Sequence, residues 1–230
     1  MSSSAAAVGR AVRVPGRPRV KICGVTTVED ALTSCALGAD LLGLNFYPPS
    51  PRCLDLETAG RIAAAVRREH PEVLLVAVVV DLGDEELRRI EREVGVDLVQ
   101  FHGDEPAAQV AAWAPRAIRA LRLGAGATRA ELAAWSHCWG VLIDAPHAVL
   151  RGGTGETWDF GAVRTLAGEA RLLLAGGLRP DNVAAAVAAV PGAWAIDLCS
   201  GVEASPGRKD PDRLAALFEA LSPASSGRTA

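Results

Sequence analysis

Arg19-Val20-Lys21-Ile22-Cys23-Gly24-Val25-Thr26-Thr27-Val28-Glu29-Asp30 is the stretch from which the fold is read. A short apolar run ends in a thiol, a glycine turns the chain, and Thr26-Thr27-Val28-Glu29-Asp30 has the form of a capped helix start. The unit is strand, turn, helix, with Cys23 at the C-terminal end of the strand. A thiol there, facing a glycine that lets a ligand come close, is placed for chemistry. Taken alone, a free cysteine is more often a small buried hydrophobe. The weight of Cys23 comes from the recurrence of the same unit along the chain.

Apolar, often β-branched runs predict strands at Arg19–Cys23, Leu41–Phe46, Leu74–Asp81, Leu98–Phe101, Ala117–Leu121, Gly140–Asp144, Arg171–Ala175 and Ala195–Leu198. Between and after them, helical spacing predicts Val28–Leu37, Leu56–Glu69, Glu85–Val94, Pro106–Trp113, Arg129–Trp135, Phe160–Gly168, Asn182–Val190 and Pro211–Leu221. Asp55 and Asp84 precede two of these helices, and Gly38 and Gly95 follow two, as caps do. Many strands are apolar throughout, as parallel strands covered on both faces are. Alternation of this kind in a 230-residue chain predicts an α/β fold, a single (β/α)8 TIM barrel, over 19–222. A doubly wound open sheet is the alternative. The number of units and the lack of G-x-G-x-x-G after the first strand favour the barrel. Residues 1–18 and 223–230 are rich in Ser, Ala, Gly, Pro and Arg and read as disordered tails.

The formal net charge is -3, the pI about 5.8, and half the residues are hydrophobic. Nothing in that balance asks for nucleic acid or a membrane. No apolar stretch is long enough for a transmembrane helix, and the N-terminus does not read as a secretory signal. The five cysteines, Cys23, Cys35, Cys53, Cys138 and Cys199, are scattered and form no C-x-x-C pair. That argues against a disulfide framework or a zinc site, leaves no metal expected, and fits a reducing cytoplasm. Monomer and homodimer both stay open.

In a barrel of this type the active site lies at the C-terminal ends of the strands. Those positions hold Cys23, Asn45-Phe46, Asp81, His102-Gly103-Asp104, Asp144, Gly176-Gly177 and Ser200-Gly201. They supply a thiol, carboxylates on two other strands, and glycines after the seventh and eighth strands. Backbone N–H groups in two such loops can hold a phosphate dianion without a lysine. The competing readings are plain capping turns for the glycines, a turn cap for Asp144 and a surface charge for Arg52.

Seven segments in order resemble one family. They are Lys21-Ile22-Cys23-Gly24, Phe46-Tyr47-Pro48-Pro49-Ser50-Pro51-Arg52, Val99-Gln100-Phe101-His102-Gly103-Asp104-Glu105, Asp144, Gly152-Gly153-Thr154-Gly155 with Trp158-Asp159-Phe160, Ala175-Gly176-Gly177-Leu178, and Asp197-Leu198-Cys199-Ser200-Gly201-Val202-Glu203. The chain is similar over about 19–220 to the phosphoribosylanthranilate isomerases, phosphate-binding TIM barrels of tryptophan biosynthesis. The resemblance implies an aldose–ketose isomerase without a cofactor. Its reaction would be the Amadori rearrangement of N-(5-phosphoribosyl)anthranilate to 1-(2-carboxyphenylamino)-1-deoxyribulose 5-phosphate. It implies Cys23 as general base, Asp144 as general acid, and Arg52 on the anthranilate carboxylate. Gly176, Gly177, Ser200 and Gly201 would hold the phosphate of this small-molecule substrate.

His102 gains no proton-transfer role from the resemblance and reads as pocket wall. Arg151–Gly155 reads as a lid. His70, His137 and His147 have no clear role, Cys35, Cys53 and Cys138 read as packing residues, and the five tryptophans fall in different elements. The chain departs from the family pattern at Asn45, Val79, Asp81 and Cys199, the last standing where a small residue, often Ser, is expected. The rivals are the histidine-pathway isomerase, which should carry Asp where Cys23 stands, and a silent barrel that binds a phosphorylated metabolite.

Overall fold

The computed structural model describes residues 17–122, 129–144 and 171–222. The expected lid Arg151–Gly155, the segment Trp158–Phe160, the helix Phe160–Gly168, His147 and most of both tails lie outside the described residues. Arg17, inside the stretch read as tail, donates to the Gly38 carbonyl at 2.9 Å and stacks over Phe218.

Eight parallel strands close on themselves in chain order: β1 (Arg19–Cys23), β2 (Leu41–Asn45), β3 (Leu74–Val79), β4 (Leu98–Phe101), β5 (Ala117–Arg122), β6 (Gly140–Asp144), β7 (Leu172–Ala175) and β8 (Ala195–Leu198). The seam is β1 against β8, in register Lys21↔Asp197 and Ile22↔Leu198. The helices are α1 (Val28–Leu37), α2 (Leu56–Glu69), α3 (Asp84–Val94), α4 (Ala107–Trp113) and α5 (Arg129–Ala133), with Val183–Ala189 and Pro211–Ala220 after β7 and β8. Among the described residues no helix is long and apolar enough to cross a membrane.

Local chemistry accounts for the element ends. The Thr27 hydroxyl accepts from the Asp30 amide and starts α1, and Asp55 does the same for α2 through Thr58. Gly38 and Gly95 end α1 and α3 in the left-handed conformation. Asp84 is the first residue of α3 rather than its cap, and Gly83 takes the cap position. A short antiparallel hairpin, Glu203–Ser205 with Arg208–Lys209, follows β8 and was not expected from the sequence. It is too brief and too polar to show a period.

Strand alternation divides the core into two shells. Val20, Ile22, Leu42, Leu44, Leu75, Ala77, Val99 and Ile196 pack with the helices. Leu41, Leu74, Val76, Leu98, Ile118, Leu142, Leu173 and Ala195 fill the barrel interior. Trp139 and Trp194 close the N-terminal mouth edge to face, 4.7 Å between ring centroids, although they come from different elements. The inward parity that places these apolar residues at the bottom also carries Cys23, Asn45, Asp144 and Cys199 to the top.

Candidate active site

At the C-terminal mouth the strands enclose a cavity of about 440 Å3, large enough for a small organic ligand. Cys23, Arg52, Asp144, Gly176, Gly177, Ser200 and Gly201 all line it. Gln100, Arg122 and Asp197 line it as well. These three were passed over because each stands inside or at the end of a strand whose pattern reads as plain core.

Cys23 is half-buried, and its thiol is the one in the chain whose pKa is pushed below the ordinary value. A hydrogen bond from Cys199 is the main cause; burial opposes it, and the charge of Lys21 helps. Cys35, Cys53, Cys138 and Cys199 all shift the other way. Lys21 is fully buried in the barrel interior, 3.0 Å from Asp197 across the seam. Burial works against its charge, but Asp197 and Cys23 outweigh that and leave its pKa above the ordinary lysine value. Gly43 makes room for this group: a Cβ there would stand 2.8 Å from the Cys23 sulfur and 3.2 Å from Lys21 Nζ.

Gly24 has φ +68 and is needed for a different reason than the sequence suggested. The space beside it is taken by Arg52, whose Cδ would be 2.4 Å from an added Cβ, and by the Cys199 sulfur at 3.1 Å. Neighbouring side chains, and not a ligand, use the close approach. Ser50 Oγ accepts from the Arg52 amide at 3.2 Å, so the Ser-Pro turn shapes the Arg52 backbone. The guanidinium is then held by Glu203, through Nε at 2.8 Å and Nη2 at 2.6 Å. Lys209 Nζ lies 2.9 Å from the same carboxylate and donates to the backbone carbonyls of Cys23 at 2.6 Å and Cys199 at 3.3 Å. Burial favours the neutral acid at Glu203, but Arg52 and Lys209 outweigh it and hold the pKa down. The hairpin thus carries a buried Glu–Lys pair beneath the site. Neither residue was assigned a role from the sequence, since nothing local marks an ion pair closed over 151 residues.

Asp144 ends β6 with its side chain 39% exposed, 3.9 Å from His102 Nε2. His102 lines the cavity, as expected of a wall residue, and burial lowers its pKa against the opposing pull of Asp144. Its Nδ1 is 3.1 Å from Gln100 Nε2. Asp81, read as a second strand-end carboxylate of the site, is not in the cavity lining. β3 stops at Val79, and Asp81 takes a left-handed conformation, φ 49, in which its carboxylate accepts from the Asp104 amide at 2.7 Å. It ties the β3 and β4 loops together. The second carboxylate of the cavity wall is Asp197.

The two glycine turns touch. A Cβ on Gly201 would sit 1.9 Å from the Leu178 carbonyl oxygen, so the loops after β7 and β8 close only around a glycine. Asn182 fastens the first loop, donating to the Gly177 carbonyl at 3.0 Å and accepting from the Arg179 amide at 2.7 Å. Among the described residues no group of three or more His, Cys, Asp or Glu is placed to hold a metal.

Fold and site together define a (β/α)8-barrel enzyme with a thiol and carboxylates converging at the C-terminal mouth. The chain belongs to the N-(5'-phosphoribosyl)anthranilate (PRA) isomerase family, whose profile matches residues 20–220. It is 42% identical over 200 residues to the N-(5'-phosphoribosyl)anthranilate isomerase of Citrifermentans bemidjiense, covering 87% of this chain and 95% of that one. The crystal structure of phosphoribosyl anthranilate isomerase from Thermotoga maritima superposes with a TM-score of 0.74 at 34% identity, over 89% of this chain and 98% of that one. A family structure in complex with reduced 1-(o-carboxyphenylamino)-1-deoxyribulose 5-phosphate gives a TM-score of 0.73 at 32% identity, over 89% and 98%.

Proposed function

We propose that this chain converts N-(5-phosphoribosyl)anthranilate to 1-(2-carboxyphenylamino)-1-deoxyribulose 5-phosphate, with Cys23 as base and Asp144 as acid. The carrying observation is that Cys23, Asp144 and the glycine turns after β7 and β8 open into one cavity. Asp144 gives a proton to the furanose oxygen, the ring opens, and a Schiff base forms. The Schiff base acidifies the neighbouring sugar C–H, which the Cys23 thiolate removes; the enolamine then relaxes to the ketone. A thiol with a lowered pKa suits that task. Arg52 keeps N–H donors beyond those used by Glu203, and these reach the anthranilate carboxylate. The backbone N–H groups of Gly176-Gly177 and Ser200-Gly201 hold the phosphate.

Loss of phosphoribosylanthranilate fluorescence measures the activity. We expect Cys23→Ala to lower kcat by several orders of magnitude with KM roughly kept, and Asp144→Asn to lower kcat at least about a hundredfold, the scale of lost acid–base catalysis. A folded variant of either kind that turns over near the wild-type rate removes that residue from the mechanism. A phosphate anion found only away from the β7–β8 mouth would overturn the phosphate assignment.

A further inference from the structure

Cys199 stands one residue beyond Leu198 and Cys23 one residue beyond Ile22, the last pair in register across the seam. Neighbouring strands run about 4.7–4.9 Å apart. That lies inside the Cα separation of about 4.4–6.8 Å that a disulfide spans. The side chains share a face, since both line the cavity, and the Cys199 sulfur lies against the turn that follows Cys23, 3.1 Å from where a Cβ on Gly24 would stand. Both residues are half-buried, so solvent reaches them from the cavity. Lys209 Nζ donates to the backbone carbonyls of both, at 2.6 and 3.3 Å, and fixes the two strand ends to one cation. The cavity lining contains no other cysteine.

We infer that Cys23 and Cys199 form a redox modification site: a hydroperoxide oxidises Cys23, Cys199 resolves it as an intramolecular disulfide, and the enzyme is silenced reversibly. The Cys23 thiolate attacks the peroxide O–O bond, gives up an electron pair and becomes a sulfenic acid, while the other oxygen leaves and takes a proton as water or an alcohol. The Cys199 sulfur then attacks the sulfenic sulfur. The S–S bond forms, the S–O bond breaks, and the departing hydroxide takes the Cys199 proton as a second water. An external dithiol reverses the state by exchange, reducing both sulfurs to thiols while it is itself oxidised. The division of labour fits the site: the surroundings favour thiolate at Cys23 and keep Cys199 as the protonated partner. The effect on turnover rests on the reading of Cys23 as base; the cross-link does not.

The full chain is treated with hydrogen peroxide, then denatured and alkylated for thiol counting and peptide mass mapping, with turnover followed in parallel and after dithiothreitol. We expect loss of two of the five thiols, a Cys23–Cys199 linked peptide, near-complete loss of turnover, and recovery of most of it with dithiothreitol. Cys199→Ser, compared with its own untreated activity, should form no linked peptide. Its Cys23 should pass to sulfinic acid, and its activity should not return with dithiothreitol. Cys53→Ser should behave as wild type. Cys23 over-oxidised without a linked peptide in the wild type, or full recovery of Cys199→Ser, would overturn the inference. A linked peptide with turnover intact would support the dithiol site and sink Cys23 as the base.

Discussion

At Cys23 the decisive quantity is the charge of one sulfur. Cys199, Lys21 and Lys209 favour the thiolate, and burial opposes it. The folded pKa is therefore below the ordinary thiol value of about 8.5. The base is active when deprotonated, so the Cys23-dependent limb of kcat/KM should rise with pH through that lowered pKa. Iodoacetamide alkylation of Cys23 should follow the same midpoint, and a midpoint at or above the ordinary value would contradict the assignment. Arg52 is a second case of a residue set by its partner. Glu203 holds its guanidinium from a nearly closed position, with 3% of the carboxylate side chain exposed. Arg52→Ala removes a charge-assisted contact of roughly 1.5–3 kcal/mol and should raise KM about tenfold. Glu203→Gln should raise KM as well, by releasing the fork. Because both act through one guanidinium, the double variant should be far from additive. Additive effects would mean that Glu203 does not position Arg52.

The elements were legible in the sequence to within a residue or two wherever a period and a cap agreed. β1, β4, β6 and β8 and helices α1 and α2 have the bounds their patterns imply. The failures have physical causes. β3 ends at Val79 instead of Asp81 because Asp81 turns into a left-handed conformation to bind the Asp104 amide. The Glu203–Lys209 hairpin has no alternation to read, yet Lys209 binds two strand-end carbonyls. The loops after β7 and β8 offer the sharpest test at this scale. Gly201→Ala would put a methyl 1.9 Å from a backbone oxygen, which cannot swing aside as a side chain can. The loops must separate, and we expect substrate KM to rise at least about tenfold while the melting temperature falls by a few degrees, as for overpacking of about 1–3 kcal/mol. Unchanged KM would show that the phosphate is held elsewhere.

At the scale of the whole molecule, the barrel closes where the first strand meets the last. Lys21 and Asp197 are 176 positions apart and lie 3.0 Å from each other inside that seam. Removing one partner leaves an uncompensated buried charge, so Lys21→Met should cost about 3–5 kcal/mol. Lys21→Met with Asp197→Leu should recover most of that stability, because apolar residues replace a buried pair at little cost. Circular dichroism melts of the two single variants and the double variant check this. A double variant less stable than both singles would mean that the pair drives closure.

The sequence by itself determined the eight alternating units, and with them the strand ends that carry Cys23, Asp144, Gly176-Gly177 and Ser200-Gly201. Hydrophobic period and turn chemistry are local, so they can be read from one chain. Only the tertiary structure decided what stands beside those residues. Ring closure brings Asp197 to Lys21, Cys199 to Cys23 and Glu203 to Arg52. The left-handed turn at Asp81, tied to the Asp104 amide of the next loop, keeps that carboxylate out of the cavity lining. Such pairings are made across the whole length of the chain by the geometry of a closed sheet, and polar contacts between distant residues leave no periodic trace in the sequence.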